Sequence, residues 1–210
     1  MSFLQAPARV ILASSSPRRR ELLGRLVADF EVVVPDIDEE RTDHSHPVEH
    51  AANLAAQKAQ AAATKAALGP STAGAAAPRE APATLLVAAD TVVFVGRKLL
   101  EKPADRSEAR AFLRELSGRP HTVCSALSVL RWDPPSEAAR RIDTATLTEV
   151  RFHPLSDSEI DWYLSTGEWD GVAGGYRLQG SGAALISSIR GSYTNVVGLP
   201  LETLFSILRS

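Results

Sequence analysis

Residues 9 to 26 read RVILASSSPRRRELLGRL, and no other stretch narrows the fold so far. Val10 to Ala13 is an apolar run of strand length, and three serines then turn the chain into a helix that opens at Pro17. Ser16 suits the N-cap, where a hydroxyl accepts from a first-turn amide. Pro17 sits where a missing N–H costs nothing and its fixed φ already fits the helix. Leu22, Leu23 and Leu26 make the stripe that buries such a helix against a sheet.

The charge on this helix does not serve its own stability. Arg18, Arg19 and Arg20 fall in the first turn, beside the positive end of the macrodipole, where each cation costs roughly 0.3–1 kcal/mol. Free amides, serine hydroxyls and guanidinium forks together form a ready phosphate site. The alternative is a solvated basic turn whose arginines bend into water.

Composition limits the partners. Net charge is −2, so the chain lacks the broad basic field of a nucleic-acid binder, and any polyanion must be met by a local cluster. Cys124 is the only cysteine, which excludes an internal disulfide and points to a reducing compartment. Lying in the alternating run HTVCSALSV, it reads as a small core residue rather than a nucleophile. The longest apolar segment, Leu85 to Val95, is interrupted by Asp90 and too short to span a bilayer, and the N-terminus is not patterned as an export signal. A cytoplasmic protein without membrane or nucleic-acid partners is expected.

Further along, Phe30 to Val34 reads as a second strand, followed by the acidic loop PDIDEERTDHSH. Pro47 opens a long alanine-rich helix to about Leu68, with Leu54 and Lys58 on one stripe. Residues 69–83 carry no periodicity and read as a flexible surface linker. TLLVAADTVVFV is one strand, or two joined at Asp90, followed by the short segment Lys98 to Leu100. A helix from Arg106 to Leu116 ends at Gly118. His121 to Trp132 and Arg140 to Phe152 alternate as an antiparallel pair. Ser156 and Glu159 form a capping box for a helix to Ser165. The glycine-rich WDGVAGGYRLQGSG precedes a strand Ala183 to Ile189, and a last helix runs from Pro200 to Leu208. This order predicts a single α/β domain over residues 1–210: a mixed, elongated sheet with flanking helices.

Asp90 closes the apolar run LLVAA, which places its carboxylate at the carboxyl end of a buried strand, where open α/β sheets bind ligands. There it either holds a metal or activates water, or it merely caps the next turn. Lys58 points inward or snorkels; Lys102, in Glu101-Lys102-Pro103, is a ligand cation or a solvated loop charge. The loop carboxylates Asp36, Asp38, Glu39, Glu40 and Asp43 suit a hard cation such as Mg²⁺, whereas His44 and His46 lack a third ligand for zinc. Taken together, these groups describe a triphosphate–metal site. Walker A and G-x-G-x-x-G patterns are absent.

SSSPRRRELL resembles the S-x-S-P-R-R-x-x-L signature of the Maf-like nucleoside triphosphate pyrophosphatases. AADTVV, EKP, LSGRPHTV, GGYRLQG and GSYTNVVGLPL match further blocks of that family in order. The resemblance implies a mixed α/β sheet with a central cleft between two lobes, as in inosine triphosphatase-like folds, often assembled as a homodimer. It implies hydrolysis of a nucleoside triphosphate to the monophosphate and pyrophosphate, assisted by a divalent cation, Mg²⁺ or Mn²⁺. By the same resemblance Asp90 corresponds to the proton acceptor, and Arg18, Thr91 and Gln179 correspond to positions of substrate choice. Ser14, Ser16, Arg18, Arg19, Lys58 and Lys102 correspond to phosphate-binding positions, and Glu39 with Asp90 to metal-binding ones. YRLQG is nearer the branch acting on dTTP and UTP than the branch acting on 7-methyl-GTP. A non-catalytic nucleotide-binding regulator of septum formation is the rival reading.

Overall fold

The computed structural model describes residues 9–38, 46–68, 83–133 and 138–209. Glu39 and all of the 69–83 segment except Ala83 lie outside the described residues. The elements are β1 (Arg9–Ala13), α1 (Pro17–Gly24), β2 (Glu31–Val32), α2 (Pro47–Lys65), β3 (Thr84–Val95), β4 (Lys98–Leu100), α3 (Arg106–Leu116), β5 (Pro120–Trp132), β6 (Arg140–Phe152), α4 (Asp157–Ser165), β7 (Ile186–Arg190), α5 (Tyr193–Val197) and α6 (Leu201–Leu208). They build one seven-stranded mixed sheet in the order β2-β1-β3-β5-β6-β7, with β4 pairing β3.

Helix starts follow the local chemistry. The Ser16 hydroxyl accepts from Arg19 N at 3.4 Å, the Asp105 carboxylate accepts from Glu108 N at 2.8 Å, and Ser156 with Glu159 forms the capping box. His46 caps α2 through its ring, accepting from Val48 N at 3.4 Å.

Three strand boundaries differ from the sequence expectation. The second strand is confined to Glu31–Val32. The last begins only at Ile186, because Ser181–Leu185 winds into a 3-10 helix. Asp90 does not end its strand: β3 runs unbroken for 12 residues, since β5 pairs antiparallel with it from Thr84 through Phe94. The carboxylate nevertheless reaches an opening. β1 stops at Ala13 opposite Ala88, and β4 begins pairing at Val93. Among the described residues no strand covers the edge of β3 between those points.

The two faces of the sheet are packed differently. On one, α2 lies along β3 and β5, and its alanines (Ala51, Ala55, Ala59, Ala62, Ala63) allow close approach to Leu86, Ala88, Val92 and Cys124. On the other, two cores sit side by side. Leu22, Leu23, Leu204 and Leu208 from α1 and α6 cover Leu85, Val87 and Leu127. Phe112, Leu113, Leu116, Ile160 and Tyr163 from α3 and α4 cover Val93, Val123 and Phe152. The uncovered stretch of β3 falls where these cores part.

Candidate active site

A cleft of about 770 Å³ opens at that point. Its walls come from the β1–α1 turn, α2, the middle of β3, the β4 end, the 171–179 loop and the turn after α5. Ser14, Ser16, Arg18, Arg19, Lys58, Asp90, Thr91, Lys102 and Gln179 all line it. Thus the structure brings these nominated residues together, whereas the loop carboxylates Asp36 and Asp38 do not line the cleft. Five cationic side chains (Arg18, Arg19, Lys58, Lys102, Arg177) and two carboxylates (Asp90, Glu101) face the space, in a chain whose net charge is −2.

Asp90 and Thr91 are successive residues and therefore face opposite sides of β3. On the α2 side, Lys58 Nζ donates to Asp90 Oδ1 at 2.6 Å, with each residue only 7% exposed. Lys58 is thus neither snorkelling nor solvated, and Asp90 is not a turn cap. Asp90 Oδ2 has no hydrogen-bond partner among the described residues.

On the other side, Arg19 is clamped. Its Nε donates to Gly198 O at 2.9 Å, Nη2 to Thr91 Oγ1 at 3.0 Å and Nη1 to Ser14 Oγ at 3.4 Å. Two of its five N–H donors therefore tie α1 to β3 and to the turn after α5, and a third holds the β1–α1 turn. The Thr91 hydroxyl in turn lies 2.9 Å from Ser125 Oγ, whose residue is held by Asn195: Ser125 N donates to Asn195 Oδ1 at 2.9 Å and Ser125 Oγ to Asn195 O at 2.9 Å. Asn195 Nδ2 also donates to Val123 O at 3.0 Å and to Thr148 Oγ1 at 2.8 Å.

Of the three first-turn arginines, Arg20 is exposed, while Arg18 and Arg19 are half-buried at the cleft. Burial, followed by the charges of Arg177 and Arg19, pulls the Arg18 guanidinium below its usual range. Lys102 and Gln179 are exposed at the rim. Cys124 is fully buried; burial and the Asp90 charge push its thiol up to about 11, which denies it a thiolate at neutral pH.

His50, Ser125 and Asn195 were not singled out by the sequence as site residues. His50 is buried on α2 and lines the cleft. It had a legible signal, standing at four-residue spacing before Leu54 and Lys58 on one stripe. Ser125 and Asn195 had none.

With the geometry in view, comparison places the molecule in two steps. The arrangement of strands and helices matches a HAM1 protein from Coxiella burnetii at a TM-score of 0.50 and 17% identity, covering 97% of this chain and 99% of that one, a likeness of fold. The family model described as Maf-like protein matches residues 9–210. A dTTP/UTP pyrophosphatase of Pyrococcus furiosus is 39% identical over 202 residues, 95% of this chain and 94% of the relative. A protein of the same name from Symbiobacterium thermophilum is 42% identical over 200 residues, 95% and 92% of the two chains. The chain belongs to the Maf-like family.

Proposed function

We propose that this chain hydrolyses dTTP and UTP to the monophosphate and pyrophosphate, with water attacking the α-phosphorus. One observation carries the proposal: a buried carboxylate, Asp90, held by Lys58 at 2.6 Å on the wall of a cleft rich in cations. The relatives named dTTP/UTP pyrophosphatase supply the substrate class.

Asp90 serves as proton acceptor. Lys58 holds Oδ1, which fixes the carboxylate and leaves Oδ2 to orient a water and take its proton as the water oxygen bonds to the α-phosphorus. The bond from that phosphorus to the bridging oxygen breaks, and pyrophosphate departs with its charge spread over Arg18, Arg19 and Lys102 and the hydroxyls of Ser14 and Ser16. Magnesium sites commonly use one or two carboxylates together with substrate phosphates, and two carboxylates, Asp90 and Glu101, line the cleft. Mg²⁺ or Mn²⁺ held by Asp90 and Glu39 would offset phosphate charge when bound.

Thr91 contributes to base choice through its main chain. Arg9 N donates to Ala83 O at 2.9 Å, so odd-numbered residues of β3 turn their N–H and C=O toward the β1 side. At Thr91 that side is the uncovered edge, where a base can meet one donor and one acceptor. Gln179 stands at the same rim.

The test is pyrophosphate release from a nucleotide panel, with and without Mg²⁺ or Mn²⁺. Release from UTP and dTTP is expected, and Asp90→Asn should cut it by about a hundredfold or more while UTP still binds. Binding of UTP by the wild type without turnover would instead indicate a nucleotide sensor. An Asp90→Asn variant working at the wild-type rate would remove Asp90 from the chemistry.

A further inference from the structure

The loop between Asp170 and Gly182 presents a cation that the mechanism above leaves unused. Arg177 lines the cleft together with Arg18. Its main-chain N–H donates to the Tyr163 hydroxyl at 3.0 Å, and its Nη2 donates to the Asp170 carbonyl at 2.9 Å. Behind it the chain passes so close that a Cβ at Gly182 would stand 2.5 Å from the Arg177 carbonyl oxygen. Backbone and guanidinium are both anchored, so the charge is held in place. Even so, Nε is buried without a hydrogen-bond partner.

The nearby acid is committed elsewhere. Glu168 Oε1 accepts from Ser181 N at 3.0 Å and from Ser181 Oγ at 3.1 Å, and Oε2 accepts from Gly182 N at 3.4 Å. Burial pushes the Glu168 carboxyl up, but these hydrogen bonds and the Arg177 charge outweigh it and hold it below its usual range. No carboxylate pairs with Arg177 among the described residues.

We infer that Arg177 is a phosphate-binding residue that closes with Arg18 on the part of the triphosphate leaving as pyrophosphate, an assignment resting on the pyrophosphatase reading above. Two guanidiniums brought together in a partly desolvated cleft repel until an anion lies between them. Their planar forks match phosphate oxygens two at a time. Arg18 and Arg177 line the same cleft, and the pyrophosphate part of the triphosphate carries most of its negative charge, so a pair of guanidiniums there acts chiefly on the leaving group.

The experiment titrates inorganic pyrophosphate, and separately UMP, into the full chain with Mg²⁺ at low ionic strength, where screening is weakest. It compares wild type with Arg177→Gln and Arg177→Lys and adds steady-state kinetics on UTP. Glutamine removes the charge but its amide ends short of the Asp170 carbonyl that Nη2 meets, so the melting temperature and Arg177→Lys, which keeps the charge, separate clamp from scaffold. Arg177→Gln should weaken pyrophosphate about tenfold, the scale of one charge-assisted bond. It should raise KM for UTP more than it lowers kcat and leave UMP affinity and the melting temperature near wild type. Arg177→Lys should recover part of the loss. Unchanged pyrophosphate affinity in Arg177→Gln overturns the assignment, and so does an equal loss for UMP. Because the titration needs no turnover, wild type that binds pyrophosphate through Arg177 yet leaves UTP intact overturns the reaction and keeps the clamp.

Discussion

Asp90 and Thr91 are chain neighbours, yet the two faces they serve solve the burial of polar groups differently. Under α2 the solution includes an ion pair, Lys58 on Asp90. On the face where the cores part it is a relay of hydroxyls and an amide, from Thr91 through Ser125 to Asn195, with its one charge, Arg19, at the cleft wall. A relay loses one bond at a time, whereas an ion pair that loses a partner keeps a whole charge in a poor solvent. The charged pair stands under a continuous 19-residue helix that can fix it, and the split face makes do with hydrogen bonds, most of them between neutral groups. In this arrangement the buried carboxylate belongs to the wall under α2, and the hydroxyl relay to the face where the cores part.

Lys58→Met breaks this contrast most severely. It leaves Asp90 buried and uncompensated, and should cost about 3–5 kcal/mol in denaturant unfolding. Adding Asp90→Asn should return part of that stability by removing the stranded charge. A loss below about 1 kcal/mol, the scale of an exposed pair, would mean that the α2 face is not holding a buried charge at all.

His121 sharpens the other side of the comparison. It is 3% exposed on the split face, with Nε2 2.8 Å from the Tyr176 hydroxyl and Nδ1 unpartnered. Burial pushes its pKa down from 6.5 to about 4, so the folded protein keeps it neutral. Below pH 6.5 the unfolded chain takes up a proton that the folded chain refuses until about pH 4. The stabilisation is thus complete above 6.5 and is lost as pH falls through that window, by about 2 kcal/mol at pH 5. His121→Phe should flatten this part of the melting profile, and equal slopes for variant and wild type between pH 7 and 5 would contradict a buried neutral histidine.

What the sequence shows plainly is what adjacent residues decide. Ser16, Asp105 and Ser156 announce helix starts because each hydroxyl or carboxylate reaches an amide three residues on. The position of Asp90 within its strand was misread because the end of a strand depends on its partners. β5 carries β3 past Asp90, and only the early stop of β1 exposes the edge there. Asn195 is fully buried, but an asparagine in SYTNVV carries no sign that it will bridge strands β5 and β6. Its role exists only once distant strands are paired. The place of Arg18 and Arg19 at the cleft was legible for the opposite reason: cations at a helix start cost stability, which marks them out without tertiary information.

The smallest effect concerns the open edge of β3 and the choice of base. Gln179 is exposed and lines the same cleft as Thr91. Its amide can offer a donor and an acceptor to a pyrimidine, and the Thr91 main chain can do the same. A uracil or thymine presents two carbonyl oxygens flanking one N–H, so at least one protein donor must meet a carbonyl. Gln179→Glu keeps an acceptor for the N–H, removes the donor and adds a negative charge near a polyphosphate. The preference for UTP over ATP in kcat/KM should therefore fall by about tenfold, the worth of one hydrogen bond, while the thermal melt stays in place because the side chain is exposed. Gln179→Ala separates the two contributions: it loses the donor without gaining the charge, so its UTP KM should lie between wild type and Gln179→Glu. Equal kcat/KM for ATP and UTP in the wild type would mean that neither Gln179 nor the β3 edge reads the base.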